Sequence, residues 1–379
     1  MNYIIKAFGD YYRSHTIYIC KDFQKREWMF EFFDGTMKRY LSFESGEQVM
    51  DYIRKTVPKS VYCSVCAFEQ PQTRSGYIYA DLAIDIDIPQ YISKGKYFCS
   101  AGHPSEIVCD NEYVFLRSEA EKVIETMTKD FCLSAKDLVV AFSGKKGYHI
   151  LVTSDAYTKL DSRERKSIID YIMGENIIPK QLGYAPVKRG EKWVWTGPKP
   201  AAGGWRGRSC KAISSFLKLP YQQMVKLGVS KCVAYQLSKL ANREKLAEQG
   251  DWGKLFTSKI PTQDVYELIR LSCWYYAPEI DMGVAKDLKR QLRVPDSIHG
   301  KSGLVAKKIN PDDVCDFDPY NDATLPIKET VKVKLTKDIP AVSLGGYKIS
   351  GRAGAEVDLP GGLGLSLVCS GVASLSEKL

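Results

Sequence analysis

The stretch Tyr79-Ala80-Asp81-Leu82-Ala83-Ile84-Asp85-Ile86-Asp87-Ile88-Pro89 limits what this chain can be more than any other. Leu82, Ile84, Ile86 and Ile88 alternate with Asp81, Ala83, Asp85 and Asp87, which is the period of two of a β-strand. One face can enter a core while Asp81, Asp85 and Asp87 share the other. Residues two apart on a strand face stand roughly 6.5–7 Å apart at Cα. Converging carboxylates at that spacing can bridge two divalent cations about 3.5–4 Å apart, as phosphoryl and nucleotidyl transfer require. Strands avoid aspartate, so two of them in a β-branched run need a reason. A metal site is one reading; an edge strand whose acids block aggregation is the other. The strand alone does not choose between them.

At 379 residues the chain has room for two or three domains. A hydrophobic content of 44% with 26% charged residues excludes a disordered chain and fits an ordinary folded protein. The formal net charge of +9, from 54 basic and 45 acidic residues, is a moderate excess that suits nucleic acid or nucleotides. Met1-Asn2-Tyr3-Ile4-Ile5-Lys6 opens no signal-peptide core. No apolar run approaches the ~20 residues of a membrane span, so no membrane partner is expected. Eleven cysteines, an odd number without a secretion signal, point to reduced thiols or metal ligands and a cytoplasmic setting.

Three further stretches carry chemistry. Cys99, His103, Cys109 and Glu112 fall within a Gly- and Pro-containing loop over 99–112. Three of them are zinc ligand types at knuckle spacing, and Glu112 or Asp110 can add an oxygen. A loop without metal is the alternative. Leu138 to Phe142 reads as an apolar strand running into Ser143-Gly144-Lys145-Lys146-Gly147, after which a second strand carries Tyr148 and His149 on opposite faces. Glycines let backbone N–H groups converge on an anion, and two lysines beside them suit a triphosphate. A basic hairpin turn is the plainer reading. Asp281, on what reads as a short strand, precedes a basic helix, a turn at Pro295, and His299 in a glycine-rich run.

Elsewhere Ser118 with Glu121 reads as a capping box opening a helix. Cys63 and Cys66 lie on a β-like run that points them to opposite sides, as small core residues do. Residues 155–185 and 212–276 read as mostly helical. Residues 186–211 read as a basic loop with Trp193, Trp195 and Trp205 interleaved, either tracking a single strand or tucked into the core.

Taken together these motifs resemble the catalytic small subunit of archaeal and eukaryotic DNA primase. The resemblance rests on Asp85-Ile86-Asp87, on Ser143 to His149, and on Asp281 followed by Arg293-Val-Pro-Asp-Ser-Ile-His299-Gly-Lys-Ser-Gly-Leu. Val61-Tyr62-Cys63-Ser64 and Phe317-Asp318-Pro319 extend it over roughly residues 1–327. It implies two-metal synthesis of short RNA or DNA primers from nucleoside triphosphates on a single-stranded DNA template. By the resemblance Asp85, Asp87 and Asp281 hold Mg2+ or Mn2+, while Ser143, Lys145, Lys146, His149, Arg293 and His299 hold the incoming triphosphate. Cys99, His103, Cys109 and Glu112 correspond to the family's zinc site, with Glu112 where a fourth Cys is usual. Lys145-Lys146 stands where many members have an Arg, which exchanges a bidentate grip for point charge. An iron–sulfur large subunit is the implied heterodimer partner.

The implied fold is α/β: residues 1–327 form a primase catalytic domain whose mixed sheet is flanked by helices, with a helical subdomain over about 155–275. Residues 328–379 read as short strands punctuated by glycine, a small β-domain that resembles the B-domain of the GINS replication proteins and so implies replisome docking. Three other functions compete. A gap-filling polymerase shares the chemistry but needs a 3′ end. A metal-dependent nuclease shares the acids but has no use for a triphosphate loop. A binding-only scaffold has no use for three retained acids.

Overall fold

Leu82–Asp87 forms the strand its alternation demands. It is an edge of a four-stranded sheet ordered Lys308–Ile309, Leu138–Phe142, Gly147–Val152, Leu82–Asp87, antiparallel throughout. The computed structural model describes residues 2–257 and 259–376. Leu82, Ile84 and Ile86 are wholly buried. Ala83 and Leu151, on the acid-bearing face, pack with Val65, Cys66, Phe68 and Leu292. Those four come from a second antiparallel sheet, in which Gln291–Arg293, Ser60–Gln70, Arg26–Glu31 and Met37–Leu41 are adjacent in that order. Ser75–Ala80 also pairs with Ser60–Gln70. The class is therefore α/β, built from several antiparallel sheets instead of one mixed sheet.

Two compact units are present. One comprises Met1–Glu121, Leu133–Lys166 and Glu279–Leu379, the other Lys122–Cys132 and Ser167–Pro278. The second unit is mainly helical, and its core gathers Trp195, Trp205, Phe216, Trp252 and Phe256 with the faces of Gly204–Leu217 and Thr262–Tyr276. Val233 and Leu237 join that core as their helical spacing required. Residues 328–379 cluster with the first unit. There Val331, Val333 and Leu335 alternate inward on the strand Thr330–Leu335, which lies between Glu356–Pro360 and Ala373–Leu375. Asp110 ties this tail down by accepting from Ser343 Oγ at 2.6 Å and from the N–H groups of Gly345 and Gly346 at 2.6 and 3.1 Å.

Several local readings need correction. Asp81 does not join the acidic face: it precedes the strand, is buried, and pairs with Arg26 at 2.8 Å. Ser118 opens no helix, since the helix runs Asp110–Lys129 and Ser118 Oγ bonds back to Phe115 O. The apolar period already starts at Tyr113 and Leu116, and acids in the first turn suit the helix dipole. Asp281 sits on no strand, and the basic helix after it is one short turn, Met282–Lys286, before Gln291–Arg293 joins the second sheet. Residues 186–211 are ordered as a hairpin, Ala185–Arg189 with Lys192–Thr196, followed by the helix Gly204–Leu217. Trp195 and Trp205 are core residues and only Trp193 is exposed. The helices Asn2–Ser14 and Gly361–Cys369 were not read from the sequence at all.

Two arginines fix where the acidic strand begins. Arg165 donates to Asp81 O and Ala80 O at 2.7 and 2.6 Å. Arg26 donates to Ser64 O and Val65 O besides its ion pair, with side chains of Arg26 and Asp81 only 2% and 4% exposed. Removing one partner of such a pair strands a buried charge, at a cost of about 3–5 kcal/mol, whereas an apolar replacement of both is far milder. Asp81→Ala should therefore lower the melting temperature more than the double change Arg26→Met/Asp81→Leu. Thermal unfolding followed by circular dichroism checks the order.

Candidate active site

The acids come together from two chain segments. Asp85 and Asp87 project from one face of the edge strand, and Asp281 N–H donates to Asp85 O at 3.0 Å. Asp281 caps its short helix, one carboxylate oxygen accepting from Gly283 and Val284 N–H at 2.7 and 3.3 Å. Burial and then the neighbouring Asp281 push the Asp85 carboxyl up to about 6, against a pull from Arg290. Burial and then Asp85 push Asp87 up to about 6, with Lys146 opposing. Asp87 Oδ1 is buried and has no hydrogen-bond partner among the described residues. Three carboxylates are thus held near one another with too little positive charge around them, which is the donor set a divalent cation takes.

The glycine loop is built against this strand. Gly147 pairs with Asp87, and a Cβ there would stand 1.8 Å from Ile86 O. Gly144 has φ +90°, and a Cβ there would fall 2.5 Å from the Cβ of His299. Ser143 and Gly147 close the loop through Ser143 N–H to Gly147 O at 2.8 Å and Gly147 N–H to Ser143 Oγ at 3.1 Å. Three more of the loop's carbonyls are taken: Gly144 O by Ser302 Oγ at 2.5 Å, Lys145 O by Tyr113 OH at 2.9 Å, and Lys146 O by Ile88 N–H at 3.1 Å. Turning the acceptors into the protein leaves N–H groups and lysine ammoniums for an anion.

The remaining predicted ligands complete the same surface. His149 lies opposite Asp85 in the strand register, its Nε2 3.5 Å from Asp85 Oδ1. Burial, then Arg293 and Arg290, pull His149 down to about 3, so it is a neutral donor at physiological pH. Burial, with Arg293 and Lys145 beside it, likewise pulls His299 well below its usual range. Arg293 is aimed by Tyr62 OH at 3.0 Å and by Ile298 O at 3.4 Å. Sequence reasoning missed Arg290, Tyr62 and Ser302. Ser302 and Tyr62 sat inside stretches already singled out, while Arg290 lies just before the strand Gln291–Arg293 and left no periodic signal.

Cys99, His103, Cys109 and Glu112 form a second cluster, their donor atoms all within 4.8 Å of one another. Cys99 Sγ stands 3.3 Å from His103 Nε2 and 3.7 Å from Cys109 Sγ, and His103 Nε2 stands 3.2 Å from Glu112 Oε2. Tetrahedral zinc with about 2.3 Å bonds to sulfur and about 2.0 Å bonds to nitrogen or oxygen requires donor separations of about 3.3–3.8 Å. His103 Nδ1 faces Pro104 O at 3.0 Å, which turns Nε2 inward as a ligand, and Cys109 N–H orients Glu112 at 2.8 Å. Hydrogen bonds to Cys109 and Glu112 raise His103 to about 11, so the cluster demands positive charge at its centre. Asp110, the other oxygen candidate, is engaged by the tail instead.

Comparison with known proteins connects these elements. The sequence model of the DNA primase small subunit matches residues 84–311. The chain is similar to the DNA primase small subunit of Methanococcoides burtonii, 28% identical with 98% of this chain and 97% of that one covered. The small subunit of Methanothrix thermoacetophila is also 28% identical, covering 88% of this chain and 89% of its own. That of Methanosarcina acetivorans is 25% identical over 99% of this chain and 97% of its own, so most of residues 328–379 falls within the similarity. The matched region takes in the acidic strand, the knuckle, the glycine loop and the run from Asp281 to His299, and the chain belongs to the DNA primase small-subunit family.

Proposed function

We propose that this chain, a DNA primase small subunit and hence a nucleotidyltransferase of DNA replication, joins nucleoside triphosphates at the site built on Asp85, Asp87 and Asp281. The observation that carries the assignment is the buried, unpartnered Asp87 Oδ1 among three carboxylates, two of them pushed up to about 6. Magnesium or manganese held there would supply Lewis-acid stabilisation of charge at the α-phosphate and on the departing pyrophosphate. The chain's own residues position the triphosphate. Lys145 and Lys146 neutralise it, loop N–H groups and Ser143 lie beside them, and Arg293 offers a pre-aimed guanidinium. His149 and His299, both neutral, donate hydrogen bonds without adding charge. Catalysis on this reading is positioning and electrostatic stabilisation, with no covalent intermediate.

A small subunit implies a large one. The resemblance extends this to an iron–sulfur heterodimer partner, and residues 328–379 are proposed as a module that docks the chain to other replisome proteins. Zinc is proposed at Cys99, His103, Cys109 and Glu112 as a structural ion.

Primer synthesis on an unprimed single-stranded template with magnesium or manganese tests the main assignment. Wild type should make metal-dependent products, and Asp85→Asn should reduce them at least about 10³-fold, the scale of several kcal/mol of charge stabilisation. Products only when a primer is supplied would favour a gap-filling polymerase, and equal activity in the variant would refute the site.

The raised carboxyls carry a second prediction. Groups whose folded pKa lies above the unfolded value add stability below about pH 4 and lose it as pH rises through about 6. Without divalent metal, Asp85→Asn should melt above wild type at pH 8 and converge with it near pH 4. Differential scanning calorimetry across that window decides. For the knuckle, metal analysis should find one zinc per chain, lost with a lower melting temperature in Cys109→Ser.

A further inference from the structure

The hairpin Ala185–Arg189 with Lys192–Thr196 lies wholly within the second unit and takes no part in the site above. Its three tryptophan neighbours divide sharply. Trp195 packs on Phe256 and Tyr266, and Trp205 donates its Nε1 to Tyr171 O. Trp193 is 61% exposed, with no ring contact or hydrogen bond among the described residues. It stands directly opposite Lys188 in the register, and the next pair is Arg189 with Lys192 across the turn at Gly190, where φ is +61°. Lys188, Arg189 and Lys192 are all exposed and make no ion pair among the described residues. Arg208 and Lys211, further along the chain, are instead paired with Asp130 and Glu125. Glu191 is the one acid in the hairpin.

An indole left in water costs free energy that a folded protein usually avoids; Lys188 shares its face of the hairpin, and Arg189 and Lys192 lie on the other face beside the turn. A flat aromatic face with flanking cations matches single-stranded nucleic acid, whose bases stack and whose phosphates pair. We infer that the Lys188–Trp193 hairpin is a binding subsite for the single-stranded DNA template, Trp193 stacking on a base while Lys188, Arg189 and Lys192 meet the backbone phosphates. The inference rests on the proposed template-directed function and adds a contact outside the nucleotidyl-transfer site.

The test measures binding of a fluorescein-labelled single-stranded 20-mer by anisotropy, using the full chain carrying Asp85→Asn, without nucleotide or divalent metal. Failure of the catalytic reading leaves this readout intact, so the two fail separately. Trp193→Ala should weaken binding at least about fivefold, and Trp193→Phe should restore most of it, as stacking requires. The combined Lys188→Gln, Arg189→Gln and Lys192→Gln should reduce the slope of log affinity against log salt by about 2, near 0.7 per phosphate contact on a single strand. Unchanged affinity and salt slope in these variants would overturn the inference. So would unchanged DNA binding with weakened capture of the primase large subunit, which would mark the hairpin as a protein contact.

Discussion

The structure depends on keeping three like charges together. Asp85, Asp87 and Asp281 converge on a face dry enough to push two of them up to about 6. Arg290 and Lys146 offset this only in part, so rigidity must be supplied elsewhere. Arg26 and Arg165 fasten the start of the strand through buried carbonyls. The hydrogen bond from Asp281 N–H to Asp85 O prevents the third acid from swinging away. Destabilisation at the site is thereby balanced by ordinary backbone satisfaction around it, and on the proposed function a divalent cation would complete what the protein leaves unfinished.

Around the acids, cations and neutral imidazoles stand side by side at similar burial. Lys145 and Lys146 sit on the loop, Arg293 is oriented by Tyr62, and the two histidines are stripped of charge by burial and by those same cations. On the proposed function an anion entering here would meet the two loop lysines, Arg293 and two neutral imidazoles. The loop can serve because its carbonyls already have donors in Ser302, Tyr113 and Ile88. Gly147 permits the approach to Ile86 O, and Gly144 permits the approach to His299. Substituting Gly147 would push the loop off the acidic strand, and substituting Gly144 would push it off His299.

Much of this was legible in the residues. A two-residue period survives in a strand whatever surrounds it, so Leu82–Asp87 and its acids could be read directly. The glycine and lysine loop and the candidate zinc ligands declared themselves by residue type and spacing, and Glu112 does close the cluster. What failed was decided by long-range partners. Asp81 obeys the strand alternation but is claimed by Arg26, a residue far away in sequence. Ser118 and Glu121 satisfy a capping box locally, yet the buried face beginning at Tyr113 extends the helix past it. Trp195 and Trp205 look like Trp193 in a basic segment, and only packing against Phe256 and Tyr171 separates them. The class of fold was readable, but strand order and the number of sheets depend on pairings such as Leu292 with Cys63 that no local pattern encodes.

On the proposed function, the acidic face is a divalent-cation site assembled with a nucleoside triphosphate. Its most direct measurement is the stoichiometry of Mn2+ bound per chain, followed by electron paramagnetic resonance during titration with and without a non-hydrolysable triphosphate. Tight Mn2+ binding should rise toward two ions per chain when the triphosphate is present and be abolished in Asp85→Asn/Asp87→Asn. The same binding in that variant, or none in the folded wild-type protein, would contradict it.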